Sequence, residues 1–273
     1  MNLLYTSTRF IPDILLTSRC SEQCDYCDFP LLENPSDATK ENIDYFFKNI
    51  VPRDRLFRYT RLGLVGGEIG LLDMDTLDYF FTPFVGKGIT FNVMTNGLFL
   101  KKDYHKRYKN MIHSITYHMI HAGKYNETTK YVFNSDVPTE IAFVAHHFNL
   151  EEVQGLVRKG INIQPYTNRP LRNQFCLTGE DKKFIESVTN IRFRSVPAMA
   201  KSCIERHSRS MAVYDLTTNV KRLCCRTYIH SPYITFGDLM RIKEDTHMSN
   251  CFGYAHNMEN IQKVCLSCNK YND

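Results

Sequence analysis

Cys20-Ser-Glu-Gln-Cys24-Asp-Tyr26-Cys27 follows closely on a short apolar run, Asp13-Ile-Leu-Leu-Thr17. Three thiolates at spacings of three and two intervening residues can bind three irons of a [4Fe–4S] cluster and leave the fourth iron without a protein ligand. Such an iron can bind and reduce a cofactor. A structural zinc site needs a fourth ligand and usually shows two separated cysteine pairs, and disulfide cysteines rarely lie so close together. The spacing therefore favours an iron–sulfur cluster over zinc or chance.

The composition is that of an ordinary globular protein. The chain has 273 residues, 43% hydrophobic and 23% charged, enough for one large domain with a smaller region beside it. No apolar stretch approaches the roughly 20 residues of a membrane helix, and Arg9 and Asp13 interrupt any secretory pattern. We therefore expect a cytoplasmic protein without a membrane partner. Ten cysteines in such a chain indicate metal or redox chemistry, and a net charge of +5 gives no reason to expect a nucleic-acid partner.

Strand-like and helix-like segments alternate over the first 170 residues. Strands are predicted at residues 14–17, 61–65, 90–94, 114–120, 141–145 and 161–166, and helices at 39–51, 73–84, 101–110 and 150–159. This alternation is typical of parallel strands joined by right-handed crossovers. Parallel α/β folds carry their chemistry at the carboxyl ends of the strands, and Cys20, Glu68, Asn96 and His118 all fall there.

The pattern changes after residue 170. Residues 211–216 and 219–224 bracket Thr217-Thr218 and predict a β-hairpin. Seven of the ten cysteines lie in this last part of the chain. We therefore predict two regions, residues 1–170 and residues 171–273, with the second packed against the first.

Three segments together resemble the radical S-adenosylmethionine (radical SAM) superfamily. The cysteine pattern is C-x3-C-x-Φ-C with Tyr26 as the aromatic residue. Leu64-Val-Gly66-Gly67-Glu68 is similar to the family's GGE segment after the second strand, and Met94-Thr95-Asn96-Gly97 to its TNG segment after the third. The resemblance covers residues 10 to about 170. It implies an α/β fold, a partial (β/α)6 TIM-type barrel with a small C-terminal cysteine-rich β-hairpin/helix region.

The resemblance also implies a cofactor chemistry. A [4Fe–4S] cluster on Cys20, Cys24 and Cys27 would reduce S-adenosylmethionine to methionine and a 5′-deoxyadenosyl radical, which abstracts hydrogen from the substrate. Tyr26 would lie near the adenine, and Glu68 would accept hydrogen bonds from the methionyl ammonium group. The implied cofactor-binding residues are Tyr26, Gly66, Gly67, Glu68, Asn96 and, for the ribose, Ser114, Thr116 and His118. At most one of His146 and His147 would face the pocket, because adjacent strand residues point opposite ways, and Gln164 and Tyr166 would line it.

A second set of cysteines resembles the auxiliary-cluster region, called SPASM or twitch, of peptide-modifying radical enzymes. Cys203 precedes the predicted hairpin, Cys224 follows it, and Cys265-Leu-Ser-Cys268 lies near the C-terminal end. The resemblance implies one auxiliary [4Fe–4S] cluster on Cys203, Cys224, Cys265 and Cys268. Cys225 or Cys251 could replace one of these ligands. Zinc on the same four thiolates is the alternative.

Three functions are compatible with these patterns. The auxiliary region favours peptide (RiPP-type) modification, by crosslinking, oxidation or epimerisation, although only 19 residues precede Cys20 and leave no room for an N-terminal peptide-recognition domain. The second is a radical enzyme acting on a small sugar, nucleoside or amino acid. The third is a non-catalytic iron–sulfur or zinc protein. An enzyme of either kind would need an electron donor such as flavodoxin or ferredoxin.

Overall fold

The fold is built around one eight-stranded sheet. The structure is a computed structural model, and it describes residues 12–27, 29–166, 174–193 and 213–222. The strands are β1 (Asp13–Leu15), β2 (Arg61–Val65), β3 (Thr90–Thr95), β4 (Ile112–Met119), β5 (Thr139–Ala145), β6 (Asn162–Pro165), β7 (Val213–Asp215) and β8 (Val220–Arg222). Their order across the sheet is β6-β5-β4-β3-β2-β1-β7-β8. Strands β1 to β7 pair in parallel, and β8 pairs antiparallel with β7. The prediction of a parallel α/β fold is confirmed.

Helices connect the parallel strands. They are α1 (Lys40–Tyr45), α2 (Met74–Phe81), α3 (Leu98–Lys101), α4 (Tyr104–Arg107), α5 (Tyr125–Phe133), α6 (Leu150–Arg158) and α7 (Gly179–Val188), and a π-helical turn, Phe46–Ile50, continues α1. Side chains cap several of them: Asp73 accepts a hydrogen bond from the Thr76 amide at 2.6 Å, and Thr178 and Asp181 form a capping box. No helix among the described residues is long and apolar enough to cross a bilayer.

The two faces of the sheet differ in chemistry because successive strand residues point to opposite sides. One face carries apolar residues such as Leu64, Phe91 and Ile115, which pack against Phe46 and Phe80 from the helical layer. The opposite face is called the polar face below. Its polar members on β3 to β6 include Asn92, Ser114, Thr116, His118, Glu140, Asn162 and Gln164.

Three details differ from the sequence-based prediction. The helix predicted at residues 101–110 is replaced by α3 and α4, because Asp103 adopts a left-handed conformation with φ 58°. This break lets Phe99 and His105 both be buried. The helix predicted at residues 39–51 changes to π-helical geometry at Phe46. The predicted hairpin exists as β7 and β8, and β7 extends the main sheet beside β1.

Candidate functional site

The cysteine loop leaves β1 at the edge of the sheet where the parallel strands end. Thr17 donates to the Asp37 carboxylate at 2.6 Å, and the Arg19 guanidinium pairs with both oxygens of the same carboxylate. These contacts fix the entry to the loop. Cys20 is exposed, and Cys24 and Cys27 are partly buried.

The three thiols are close enough to affect each other's ionisation. Burial raises the pKa of Cys24 to about 11, and the charges of Cys27 and Cys20 add to this effect. Partial desolvation of the Cys20 sulfur, with the nearby charge of Glu68, also raises the pKa of Cys20, although the residue as a whole is exposed. The described residues hold no group of three His, Cys, Asp or Glu side chains already arranged around one metal ion. The donor set nevertheless fits an iron–sulfur cluster, because iron binds thiolates and would remove their mutual repulsion.

The GGE segment packs directly on the start of the cysteine loop. The Gly67 amide donates to the Thr17 carbonyl at 2.8 Å, and the Glu68 amide donates to the Arg19 carbonyl at 2.7 Å. A Cβ atom at Gly67 would lie 2.0 Å from the Arg19 carbonyl oxygen. Gly66 has φ +120°, which side chains rarely allow. Both glycines are therefore required for the contact between these two loops.

The Glu68 side chain is 1% exposed and its carboxylate is surrounded by donors of the chain itself. Oε1 accepts from the Gly70 amide at 2.8 Å and the Phe99 amide at 3.2 Å, and Oε2 accepts from the Asn96 amide at 2.7 Å. The Thr95 hydroxyl lies 2.8 and 2.9 Å from the two oxygens. Burial raises the pKa of Glu68, while these donors act in the opposite direction. The carboxylate thus joins the segments after β2 and β3.

The TNG segment reaches the cysteine loop from the other side. The Asn96 side-chain amide donates to the Ser21 hydroxyl at 3.0 Å and lies 3.5 Å from the Cys20 sulfur. Gly97 has φ +106°, and a Cβ atom there would lie 2.3 Å from the Tyr117 ring. Thr95 was not selected from the sequence as a site residue, although it belongs to the TNG match. Its hydrogen bond to Glu68 is the contact that the short motif does not reveal.

Tyr26 is enclosed by residues that follow β5 and β6. Its ring lies 5.5 Å from that of His146 and 5.7 Å from that of Tyr166, and the Tyr166 hydroxyl donates to the Tyr26 carbonyl at 2.5 Å. Burial raises the pKa of Tyr26. His147 turns away and contacts the Asp181 carboxylate at 2.7 Å. Only one of the two histidines faces the loop, as the sequence predicts.

The three residues predicted to contact the ribose all lie on the polar face of β4. The Ser114 hydroxyl donates to the Asn92 side-chain oxygen at 3.1 Å, and the Thr116 hydroxyl donates to Glu140 at 2.9 Å. His118 is nearer the carboxyl end of β4 and makes no such bond through Nε2 among the described residues. Gln164 lies further along the same face on β6.

The predicted auxiliary ligands Cys203, Cys224, Cys265 and Cys268, and the substitutes Cys225 and Cys251, lie outside the described residues. Cys176, before α7, is described as a partly buried free thiol.

Comparison with solved structures identifies proteins of the same fold. A structure of anSMEcpe with bound AdoMet aligns with a TM-score of 0.60 at 13% identity, over 94% of this chain and 83% of that chain. A structure of anSMEcpe with bound AdoMet and Kp18Cys peptide aligns with a TM-score of 0.58 at 14% identity, over 94% and 84%. At these identities the likeness shows a shared fold. No protein-family model matches the chain, and no curated protein matches it.

Proposed function

We propose that this chain is a radical SAM enzyme that modifies a peptide. The observation that carries the proposal is the convergence of three loops at one edge of the sheet. The cysteine loop, the GGE segment and the TNG segment are hydrogen-bonded to one another through Gly67, Glu68 and Asn96. The fold supports it, because structures of anSMEcpe with the same fold contain AdoMet.

In this proposal Cys20, Cys24 and Cys27 bind the [4Fe–4S] cluster. With one electron from a flavodoxin- or ferredoxin-type donor, the cluster and S-adenosylmethionine supply the 5′-deoxyadenosyl radical that takes a hydrogen atom from the substrate. Tyr26 contributes an aromatic surface beside the loop, where an adenine ring can pack. Glu68 acts by holding the loops in place, because its carboxylate already has four donors within the chain.

Peptide modification is proposed over small-molecule chemistry because anSMEcpe also binds the Kp18Cys peptide in a structure of this fold. We also propose that residues 171–273 include an auxiliary cluster on Cys203, Cys224, Cys265 and Cys268, as the sequence predicts.

Anaerobic reconstitution tests the proposal. The wild-type protein should release 5′-deoxyadenosine from S-adenosylmethionine in the presence of dithionite. The triple alanine variant of Cys20, Cys24 and Cys27 should release none and should contain about four fewer irons per chain. A matched Cys176→Ala variant should behave as the wild type. Unchanged iron content in the triple variant would remove the cluster assignment, and a zinc-loaded wild type without turnover would favour the non-catalytic alternative.

A further inference from the structure

The polar side chains on the polar face are arranged in rows across the strands. In the first row, Ser114 on β4 bonds to Asn92 on β3. In the next row toward the carboxyl ends, Thr116 on β4 bonds to Glu140 on β5. In both rows these polar side chains satisfy each other.

The third row is different. The strand register places His118, Ala142 and Asn162 side by side on β4, β5 and β6. His118 Nε2 and Asn162 Nδ2 are both buried, and neither has a hydrogen-bond partner among the described residues. Ala142 between them is fully buried and has no polar group to offer. With strands about 4.8 Å apart, the two polar residues are roughly 10 Å apart at their Cα atoms.

The row lies on the path toward the cysteine loop. Tyr166, whose hydroxyl bonds to Tyr26, follows Asn162 by four residues. At the rise of an extended strand this separation is about 13 Å. Asn162 is therefore about 13 Å from Tyr166 along the strand direction, and Tyr166 contacts the cysteine loop that holds the proposed radical source.

The chemistry of the row restricts what it can bind. Asn162 Nδ2 can only donate, so it needs an acceptor, whereas His118 Nε2 donates or accepts according to its tautomer. Burial lowers the pKa of His118 to about 4, so the ring is uncharged at neutral pH. Glu140 in the neighbouring row is acidic, and no lysine or arginine occupies the polar face in these rows of β4, β5 and β6. A carboxylate or phosphate would find no cation among these strand residues.

We infer that His118 and Asn162 form a substrate subsite that binds an uncharged oxygen, either an amide carbonyl or a hydroxyl group. The inference rests on the proposed function in placing the substrate on the polar face. A buried polar group without a partner destabilises a protein, so the two side chains lower the stability of the ligand-free protein and favour the bound one. A bridging water is the competing explanation.

The first test measures the stability of the cofactor-free protein by thermal unfolding. Asn162→Leu removes an unpaired amide and should raise the unfolding midpoint by about 2 °C. Asn92→Leu is the matched control, because the same substitution on the same face removes a paired amide and should lower the midpoint. A fall in the midpoint of Asn162→Leu as large as in Asn92→Leu would show that Asn162 already has a partner, such as water, and would overturn the inference.

The second test measures ligand binding directly, without cluster or S-adenosylmethionine. N-methylacetamide, 1,2-propanediol and acetate are titrated into protein carrying ¹⁵N-labelled histidine, and the ring signals of His118 are assigned by their loss in His118→Phe. We expect a saturable shift with an uncharged probe, its loss in Asn162→Leu, its retention in Asn92→Leu and no response to acetate. A response to N-methylacetamide alone indicates a peptide source, and one to the diol alone a sugar-like source.

Absence of a saturable shift with both uncharged probes, or an equal response to acetate, would overturn the subsite. Because these measurements need no turnover, they separate the subsite from the proposed function. A protein that binds the probes but makes no 5′-deoxyadenosine would refute the proposed function and leave the subsite intact.

Discussion

Replacing Glu68 should destabilise the protein in two graded steps. Glu68→Ala leaves three backbone amides, of Gly70, Asn96 and Phe99, and the Thr95 hydroxyl without their buried acceptor. At about 1 kcal/mol for each unsatisfied donor, the free energy of unfolding should fall by roughly 4 kcal/mol. That is a large part of the about 5–15 kcal/mol that keeps a typical domain folded.

Glu68→Gln should give an intermediate loss. The amide oxygen can replace Oε1 and keep the Gly70 and Phe99 amides bonded. The amide nitrogen then takes the place of Oε2 and faces the Asn96 amide, which lies 2.7 Å away in the wild type. One donor facing another should cost about 2 kcal/mol.

Urea unfolding of the cluster-free protein measures both losses. Glu33→Gln is the control, because Glu33 is exposed in a loop and its replacement should change stability by less than about 0.5 kcal/mol. The expected order of stability is wild type, Glu68→Gln, Glu68→Ala. If Glu68→Ala unfolds like the wild type and only its S-adenosylmethionine affinity falls, Glu68 binds the ammonium group directly and does not hold the loops.

Three further predictions concern other parts of the chain. Gly67→Ala should lower the free energy of unfolding by more than about 1 kcal/mol, because the added Cβ atom would lie 2.0 Å from the Arg19 carbonyl oxygen. Gly155→Ala in α6 should raise it by about 0.5–1 kcal/mol, because the added Cβ atom meets nothing within 4 Å. Urea unfolding measures both changes. Burial acts to raise the pKa of Asp181, but hydrogen bonds from Thr178 and His147 outweigh it and lower the pKa below the ordinary value of 3.8. Its stabilising effect should therefore be present at neutral pH and be lost as the pH falls through the folded-state pKa, and Asp181→Asn should flatten the acid limb of a stability–pH curve. In the triple alanine variant of Cys20, Cys24 and Cys27, a [4Fe–4S] EPR or Mössbauer signal that does not change when S-adenosylmethionine is added would support an auxiliary cluster on Cys203, Cys224, Cys265 and Cys268. About one tightly bound zinc per chain and a colourless protein would refute it.

The bounds of individual strands and the order of the loops could be predicted, because they depend on residues that are neighbours in the sequence. Strand β2 has the predicted bounds, since its apolar run is followed at once by two glycines. The proximity of Gly67 and Asn96 to the cysteine loop follows from the rule that parallel strands end at one edge.

The remaining parts depend on contacts between distant residues. The contacts of Glu68 with the Asn96 and Phe99 amides could not be predicted, because these residues are 28 and 31 positions away in the sequence. Its contact with the methionyl ammonium group stays a prediction. The break at Asp103 lies between the buried side chains of Phe99 and His105, and it interrupts a basic segment whose helical preference alone predicts a continuous helix.

The position of β7 has a consequence for the order in which the chain can assemble. β1 finds its second neighbour 200 residues later, because Asp13 pairs with Val213. At a synthesis rate of about 5–20 residues per second, the outer edge of β1 stays bare for roughly 10–40 s on the ribosome. An open strand edge is a template for pairing with other chains. A ribosome stalled before Val213 would therefore hold a sheet in which the edge of β1, beside the cysteine loop, is unpaired. That edge is paired only after β7 has been synthesised.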